Sequence, residues 1–385
     1  MGILPPKIGV ALVGYGYWGP NLARNLVESA DLRLMTLCDS TERRRAAFAG
    51  KHPGIDVASD FDHVLLNPKV EAVVIATPPS THYALVRRAL EAGKHVLVEK
   101  PLARTESQAR ELVELARRLE LTLMPGHTFL YSPSVNKVRD LIRDGTLGEP
   151  YFVTSSRMNL GNYQPDGVVC DLAPHDLSIL LHWLEEPVVQ VAATACSVFQ
   201  SDVPETAFIS LRFASGAAAN VQISWLAPRK VRQMVVVGSK RMIQYEDTSA
   251  DDPVRVYDRG LEFDQPENFG EYRLTYRTGD MVAPRIEAAE PLALEMRDFA
   301  RAIRTGEEPL SNARLGLEIV RAMDAASLSL KLNGAPVDVG VSKVGTGAGQ
   351  RMRNGRRNGN GHSNGGVHKR DAVGIIVPGR LGDYQ

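Results

Sequence analysis

Between residues 8 and 125 the chain repeats one unit, a short run of apolar residues without polar alternation followed by a segment with apolar residues at helical spacing. The first run is Ile8-Gly-Val-Ala-Leu-Val13. Others span Leu32 to Cys38, Val70 to Ala76, His95 to Val98 and Leu121 to Met124. Helical patterns lie between them: Leu22, Leu26 and Val27 on one side, a charged segment through Arg43, Arg44 and Arg45 with Ser40 as its expected N-cap, then Ser80 to Ala92 and Thr105 to Leu119. Runs that read as apolar throughout must be covered on both faces, and parallel strands need long, usually helical crossovers. The pattern therefore predicts an α/β, Rossmann-type doubly wound parallel sheet over residues 1–125.

The first strand ends in Gly14-Tyr-Gly-Tyr-Trp-Gly19, and an acid, Asp39, stands 20 residues after Gly19 at the end of the second run. A glycine-rich turn between strand and helix lets a pyrophosphate approach the N–H groups of a helix N-terminus, and an acid at that distance accepts from the ribose hydroxyls. The expected cofactor is NAD; Asp39 would repel the 2′-phosphate of NADP, although Arg43 and Arg44 offer positive charge nearby. Tyr15, Tyr17 and Trp18 lie in the same turn with Gly14, Gly16 and Gly19. Two further segments fall where a dinucleotide crosses the strand ends: Thr77-Pro-Pro-Ser-Thr-His82 and Glu99-Lys-Pro101. They add Thr77, Pro78, His82, Glu99 and Lys100 as cofactor contacts.

From Pro150 onward the pattern changes to alternating segments rich in Val, Ile, Phe and Thr: Pro150 to Arg157, Val188 to Phe199, Ala207 to Phe213, Ala217 to Trp225 and Val231 to Val237. These predict an antiparallel sheet. Leu172 to Leu184 interrupts them as a helix expected to carry Pro174 in its first turn, where a missing N–H costs nothing. Leu292 to Ile303 and Leu315 to Leu332 read as closing helices that pack back across the domain junction.

Four separated motifs, the glycine-rich turn, Ala76-Thr-Pro-Pro-Ser-Thr-His82, Glu99-Lys-Pro101 and Asp171-Leu-Ala-Pro-His175, resemble in order and spacing the glucose-fructose oxidoreductase / inositol dehydrogenase (Gfo/Idh/MocA) family over about residues 7 to 335. The resemblance implies a second α/β domain, residues 126–342, whose open, mostly antiparallel sheet supports substrate binding and a homodimer or homotetramer. It implies a catalytic centre of Lys100, Asp171 and His175. Gly126-His-Thr-Phe-Leu-Tyr-Ser-Pro133 and Arg157-Met-Asn-Leu-Gly161 look most like members of nucleotide-sugar pathways, which oxidise a ring hydroxyl, often at carbon 3 of a UDP-linked N-acetylhexosamine.

Chemistry supports the same residues. Asp171 and His175 are four apart, so on a helix they share a face, and a carboxylate beside an imidazole is suited to a general base. His175 is expected to take the hydroxyl proton, with Asp171 orienting it or touching substrate, and Asp176 as the alternative partner. Lys100 would polarise the hydroxyl. His127, Tyr131, Arg157 and Asn159 are candidate sugar or phosphate contacts. The same site run in reverse would make a keto-sugar or keto-cyclitol reductase, and a non-enzymatic NAD-binding regulator is the third reading.

Cys38, Cys170 and Cys196 are too few and scattered for a disulfide framework or a zinc site, so no metal and a reducing, cytoplasmic setting are expected. No basic leader with an apolar core opens the chain, and no apolar stretch approaches ~20 residues. Lys plus Arg equals Asp plus Glu at 45 each, which argues against nucleic-acid binding by the whole chain. That balance conceals a basic tail: residues 343–385 hold eight Lys/Arg against two Asp/Glu, leaving 37 against 43 for residues 1–342. The tail is rich in Gly, Asn and Arg and is expected to be flexible, ending in an apolar patch at Val373 to Pro378.

Overall fold

The computed structural model describes residues 5–161, 163–199, 203–264 and 273–340. The tail from 343, with its Val373 to Pro378 patch, lies outside them. Six strands, β1 (Ile8–Val13), β2 (Leu32–Cys38), β3 (Asp56–Ala58), β4 (Ala72–Ile75), β5 (His95–Glu99) and β6 (Leu123–Gly126), form one sheet in the order β3-β2-β1-β4-β5-β6. Every pairing in it is parallel. Between these strands run α1 (Gly19–Glu28), α2 (Glu42–Lys51), α3 (Phe61–Leu66), α4 (Pro79–Glu91) and α5 (Glu106–Arg118). The apolar runs of β1 and β4 are buried at every position, as strands covered on both faces must be. Thr105 caps α5 by accepting from the Gln108 N–H.

One local expectation fails, and two short elements were not foreseen. Ser40 does not cap α2; Thr41 occupies that place, and its side chain makes no cap bond. The short β3 and α3 carried no periodic signal, being three and six residues long.

A second sheet has the order β14-β13-β12-β11-β7-β10-β9-β8-β15. Its members are β7 (Pro150–Met158), β8 (Val188–Cys196), β9 (Thr206–Phe213), β10 (Ala218–Ser224), β11 (Val231–Gly238), β12 (Met242–Glu246), β13 (Val254–Asp264), β14 (Arg273–Val282) and β15 (Val337–Asp338). All pairs are antiparallel except β7 with β10. Burial alternates along β9, so Ala207, Ile209, Leu211 and Phe213 join the core while Phe208, Ser210 and Arg212 face away.

Helix α7 (Gly167–Leu184) covers the inner face with α6 (Pro133–Arg143), and α8 (Pro291–Thr305) and α9 (Ala313–Lys331) follow the sheet. Here the sequence expectation is corrected: α7 begins at Gly167, which places Pro174 in its interior. A proline there deletes one backbone bond and crowds the carbonyl one turn back. The helix survives because most of its residues are buried, among them Val168, Ala173, Leu177, Ile179, Leu180 and Trp183. Helix α9 divides its buried residues between two cores. Ile319, Ala322 and Met323 pack with the second sheet, whereas Leu317 and Val320 pack with β4, β5 and α5. Helix α8 contributes Leu292, Met296 and Phe299 to the cluster around α1 and β1.

Candidate active site

Gly14 closes β1 with φ +99°, a region that favours glycine, and a Cβ there would meet the Ala76 carbonyl oxygen at 2.5 Å. A Cβ on Gly19 would meet the Gly14 oxygen at 2.9 Å, whereas one on Gly16 meets nothing within 4 Å. Gly14 and Gly19 thus serve chain packing, and Gly16 opens on a cleft. That cleft has a volume of about 510 Å³ and is lined by Gly14, Gly16, Tyr17, Asp39, Arg44, Thr77, Pro78 and Gln164. The first turn of α1 carries neither an acidic residue nor a side-chain cap; Pro20 has no N–H and the Asn21 N–H donates to the Trp18 oxygen at 3.0 Å, so an anion would meet the positive end of the helix dipole there. An open glycine beside a helix N-terminus without an acidic residue suits a dinucleotide pyrophosphate.

Asp39 is buried, with Oδ2 accepting the Tyr15 N–H at 2.7 Å and Oδ1 the Thr41 N–H at 2.8 Å. Arg44 Nη1 stands 3.6 Å from Oδ2. Tyr15 takes part only through its backbone: its ring is buried edge-on against Phe48, with centroids 5.2 Å apart. Tyr17 is exposed and Trp18 partly so. His82 is not at the cleft surface. It is fully buried, with Nδ1 2.8 Å from the Pro101 carbonyl oxygen and Nε2 2.9 Å from that of Thr77. It lies between two loops, and burial holds it below the ordinary histidine value, so its single N–H donates to one of the two carbonyls.

Lys100, after β5, donates from Nζ to the Asp171 main-chain oxygen at 2.6 Å and to its Oδ1 at 3.1 Å. The other carboxylate oxygen of Asp171 accepts the Trp225 indole N–H at 3.1 Å. Asp171 therefore positions Lys100, and the pairing expected between Asp171 and His175 is not made. Asp176 does not replace it. Its carboxylate accepts from Arg157 Nε at 2.7 Å and from Ser155 Oγ at 2.8 Å, all three residues being buried. On a helix a side chain four residues away shares a face, but here the closest cations, on other elements, capture both acids.

The His175 ring packs edge-on against Phe129 at 5.2 Å. Burial, then the charges of Lys100, Arg157 and Arg232, hold it well below the ordinary histidine value, so it is neutral at pH 7. His127 is buried and pushed down to about 3 by burial and by Lys100, and neither ring nitrogen has a hydrogen-bond partner. Arg157 stacks its guanidinium 4.5 Å over Phe129. Asn159 lies partly exposed past the end of β7, its N–H donating to the Ser224 oxygen at 3.1 Å. Tyr131 departs from expectation. Its hydroxyl donates to Asp298 Oδ2 at 2.8 Å and accepts from the Ser311 N–H at 3.2 Å inside the junction, so it has nothing left for a sugar. Glu99 accepts the Lys100 N–H at 3.3 Å through Oε2 and is pushed up to about 7 by burial.

The crevice also holds residues the sequence did not single out: Trp225, Arg232 and Gln164. Each became relevant through proximity across the fold, and nothing in its local sequence marked it. Among the described residues no group of His, Cys, Asp and Glu has the makings of a metal site, and no helix is long and apolar enough to cross a membrane.

Residues 8–127 match the family model described as an oxidoreductase family with an NAD-binding Rossmann fold, and residues 135–244 match the Gfo/Idh/MocA C-terminal domain. Inositol 2-dehydrogenase of Rhizobium meliloti is 27% identical over 83% of this chain and 96% of its own length. Among solved structures, GenD2 from gentamicin A biosynthesis, in complex with NAD, superposes with a TM-score of 0.74 at 23% identity, covering 88% of this chain and 100% of its own. The UDP-N-acetylglucosamine 3-dehydrogenase GnnA of Acidithiobacillus ferrooxidans gives a TM-score of 0.71 at 23% identity, covering 85% and 99%.

Proposed function

The chain belongs to the Gfo/Idh/MocA oxidoreductase family, and from that premise we propose that it is an NAD-dependent dehydrogenase that oxidises a ring hydroxyl of a sugar or nucleotide-sugar, with position 3 of a UDP-N-acetylhexosamine as the first candidate. The observation that carries the reading is Lys100 held on Asp171 next to a neutral, half-buried His175 at the strand ends beside the dinucleotide cleft.

Bound NAD would supply the hydride acceptor. The chain's own residues do the rest. Neutral His175 has a free nitrogen lone pair and takes the hydroxyl proton. The Lys100 ammonium donates to the same oxygen and stabilises the negative charge that develops there. Asp171 and Trp225 hold Lys100 in place. Arg157 and Arg232, with Phe129 between them and His175, favour the neutral imidazole over imidazolium. Asp39 supports NAD over NADP, since a buried carboxylate already satisfied by two N–H groups repels a phosphate. Arg157 and Asn159 are the remaining substrate contacts of this reading, while His127 lies buried behind Lys100. The open face of the second sheet, with exposed Phe152 and Phe208, supports pairing with a second copy.

A coupled NAD-reduction screen over UDP-sugars, free sugars and cyclitols tests the function, and turnover of none of them overturns it. Sedimentation of the purified chain tests the pairing; a monomer refutes it.

A further inference from the structure

Behind Lys100 the fold buries more titratable groups than the hydroxyl chemistry uses. Glu99 Oε1, Glu295 Oε1 and both ring nitrogens of His127 are buried without a hydrogen-bond partner. They come from three elements yet converge. Glu99 is paired in the sheet with Gly126, directly before His127. Thr128, the next residue, donates from Oγ1 to Glu295 Oε2 at 2.8 Å. Glu99 acts electrostatically on Glu295, and Lys100 on His127. Buried polar atoms are nearly always satisfied by protein or by ordered water, so four orphans at one place mark a small polar compartment that water enters.

His175 is a poor resting place for a proton. Burial and three neighbouring cations disfavour its imidazolium, so a proton taken from the hydroxyl must pass on. Lys100 neighbours Glu99 on the same strand end and faces His127 after β6 and His82 from α4; the Trp18 side chain of the glycine-rich turn hydrogen-bonds Glu99, Glu295 faces Glu99 from α8, and Asp298 faces Glu295 along that helix. Glu295 is pushed well above the ordinary carboxylate range by burial, then by the charge of Glu99. Glu99 titrates at about 7.

We propose that Glu99 is the proton reservoir of the oxidation, receiving the hydroxyl proton from His175 through Lys100, His127 and the water of this compartment. The proposal rests on the dehydrogenase reading above. The carbinol C–H pair leaves as hydride to the nicotinamide, and the O–H proton ends on the Glu99 carboxylate as a carboxylic acid before returning to water. Neutral His127 suits the passage, because one ring nitrogen accepts while the other donates. Glu99 acts through its neighbours and is a positioning residue.

Two measurements on the full chain test this. Wild-type kcat for oxidation falls as pH drops through about 7, and Glu99→Gln loses that inflection together with at least ~10-fold of kcat at high pH, with little change in the sugar KM. Glu99→Asp, which keeps the acid, retains an inflection at a shifted pH. An unchanged profile in either variant overturns the proposal. Infrared difference spectra across the same pH range need no turnover: wild type shows a carboxylic-acid band that disappears as pH rises through about 7, and Glu99→Gln lacks it. Absence of the band from wild type overturns the proposal. If wild type oxidises no sugar, the dehydrogenase reading falls, and the spectra still decide whether Glu99 stores a proton.

Discussion

Lys100 Nζ reaches across the crevice to Asp171, bonding its main-chain oxygen at 2.6 Å and its carboxylate at 3.1 Å. The main-chain bond falls in the turn that contains Pro174, where a proline disturbs the regular backbone bonding of the helix. The ammonium is thereby aimed by two acceptors, with a second donor, Trp225, fixing the carboxylate from behind.

This geometry predicts graded losses. Lys100→Met and His175→Ala each reduce turnover by at least ~10²-fold, because each removes a group that acts on the reacting oxygen. Asp171→Asn loses less, since the main-chain acceptor remains. Steady-state kinetics with circular dichroism as a folding control checks the order; full activity in Lys100→Met would sink the site.

The glycine-rich turn separates packing from binding. Gly14→Ala forces a Cβ to within 2.5 Å of the Ala76 oxygen at positive φ, and lowers the melting temperature. Gly16→Ala meets no protein atom, so it leaves stability unchanged while raising the KM for NAD. Thermal melts and cofactor titrations of the two variants discriminate these effects, and equal destabilisation by both contradicts the assignment.

Asp39→Ala has two consequences. It strands the buried Tyr15 N–H, a cost of about 1–3 kcal/mol, while the exposed Thr41 N–H turns to water. It also frees Arg44, now 3.6 Å from the carboxylate, to meet a 2′-phosphate. The ratio of kcat/KM for NAD over NADP is expected to fall by at least ~10-fold, about 1.4 kcal/mol. An unaltered ratio would remove Asp39 from cofactor choice.

Arg157 and Asp176 are both buried, 4% and 1% exposed. Breaking such a pair leaves an uncompensated charge, so Arg157→Met costs about 3–5 kcal/mol, whereas Arg157→Met with Asp176→Leu recovers much of that loss. Urea unfolding of the single and double variants measures it. Additive losses would contradict a coupled pair.

Histidines set the acid limit of the fold. Burial holds His127 at about 3 and His182 at about 4, both below the ordinary 6.5. As pH falls below 6.5 the unfolded chain takes up protons that these folded histidines refuse, so stability drops toward pH 4 by about 1.4 kcal/mol per unit for each. Glu99 works in the opposite sense: its folded value of about 7 adds stability below the unfolded value of 4.5, and that stability is lost as pH rises through 7. His182→Gln, which still reaches Asn136 Oδ1, flattens the acid limb of a stability-versus-pH curve. An identical curve would show that His182 titrates normally.

Sequence alone determined the parallel sheet and the glycine-rich turn, because unbroken apolar runs and a glycine that must adopt positive φ are local requirements written at each position. The family resemblance implied Lys100, Asp171 and His175 as one centre, and Lys100 does pair with Asp171. Local pattern was also enough for β7 to β11, α8 and α9, whose periods of two and 3.6 survive in the chain. What an acid pairs with was beyond it. Asp171, Asp176 and His175 lie within five residues, yet Lys100 claims one acid and Arg157 the other. Tyr131, Tyr15 and His82 looked available by position and are sealed in the interior. Only tertiary structure decided those outcomes, since charge pairing and burial depend on which distant elements arrive nearby, and that distance is absent from any local spacing.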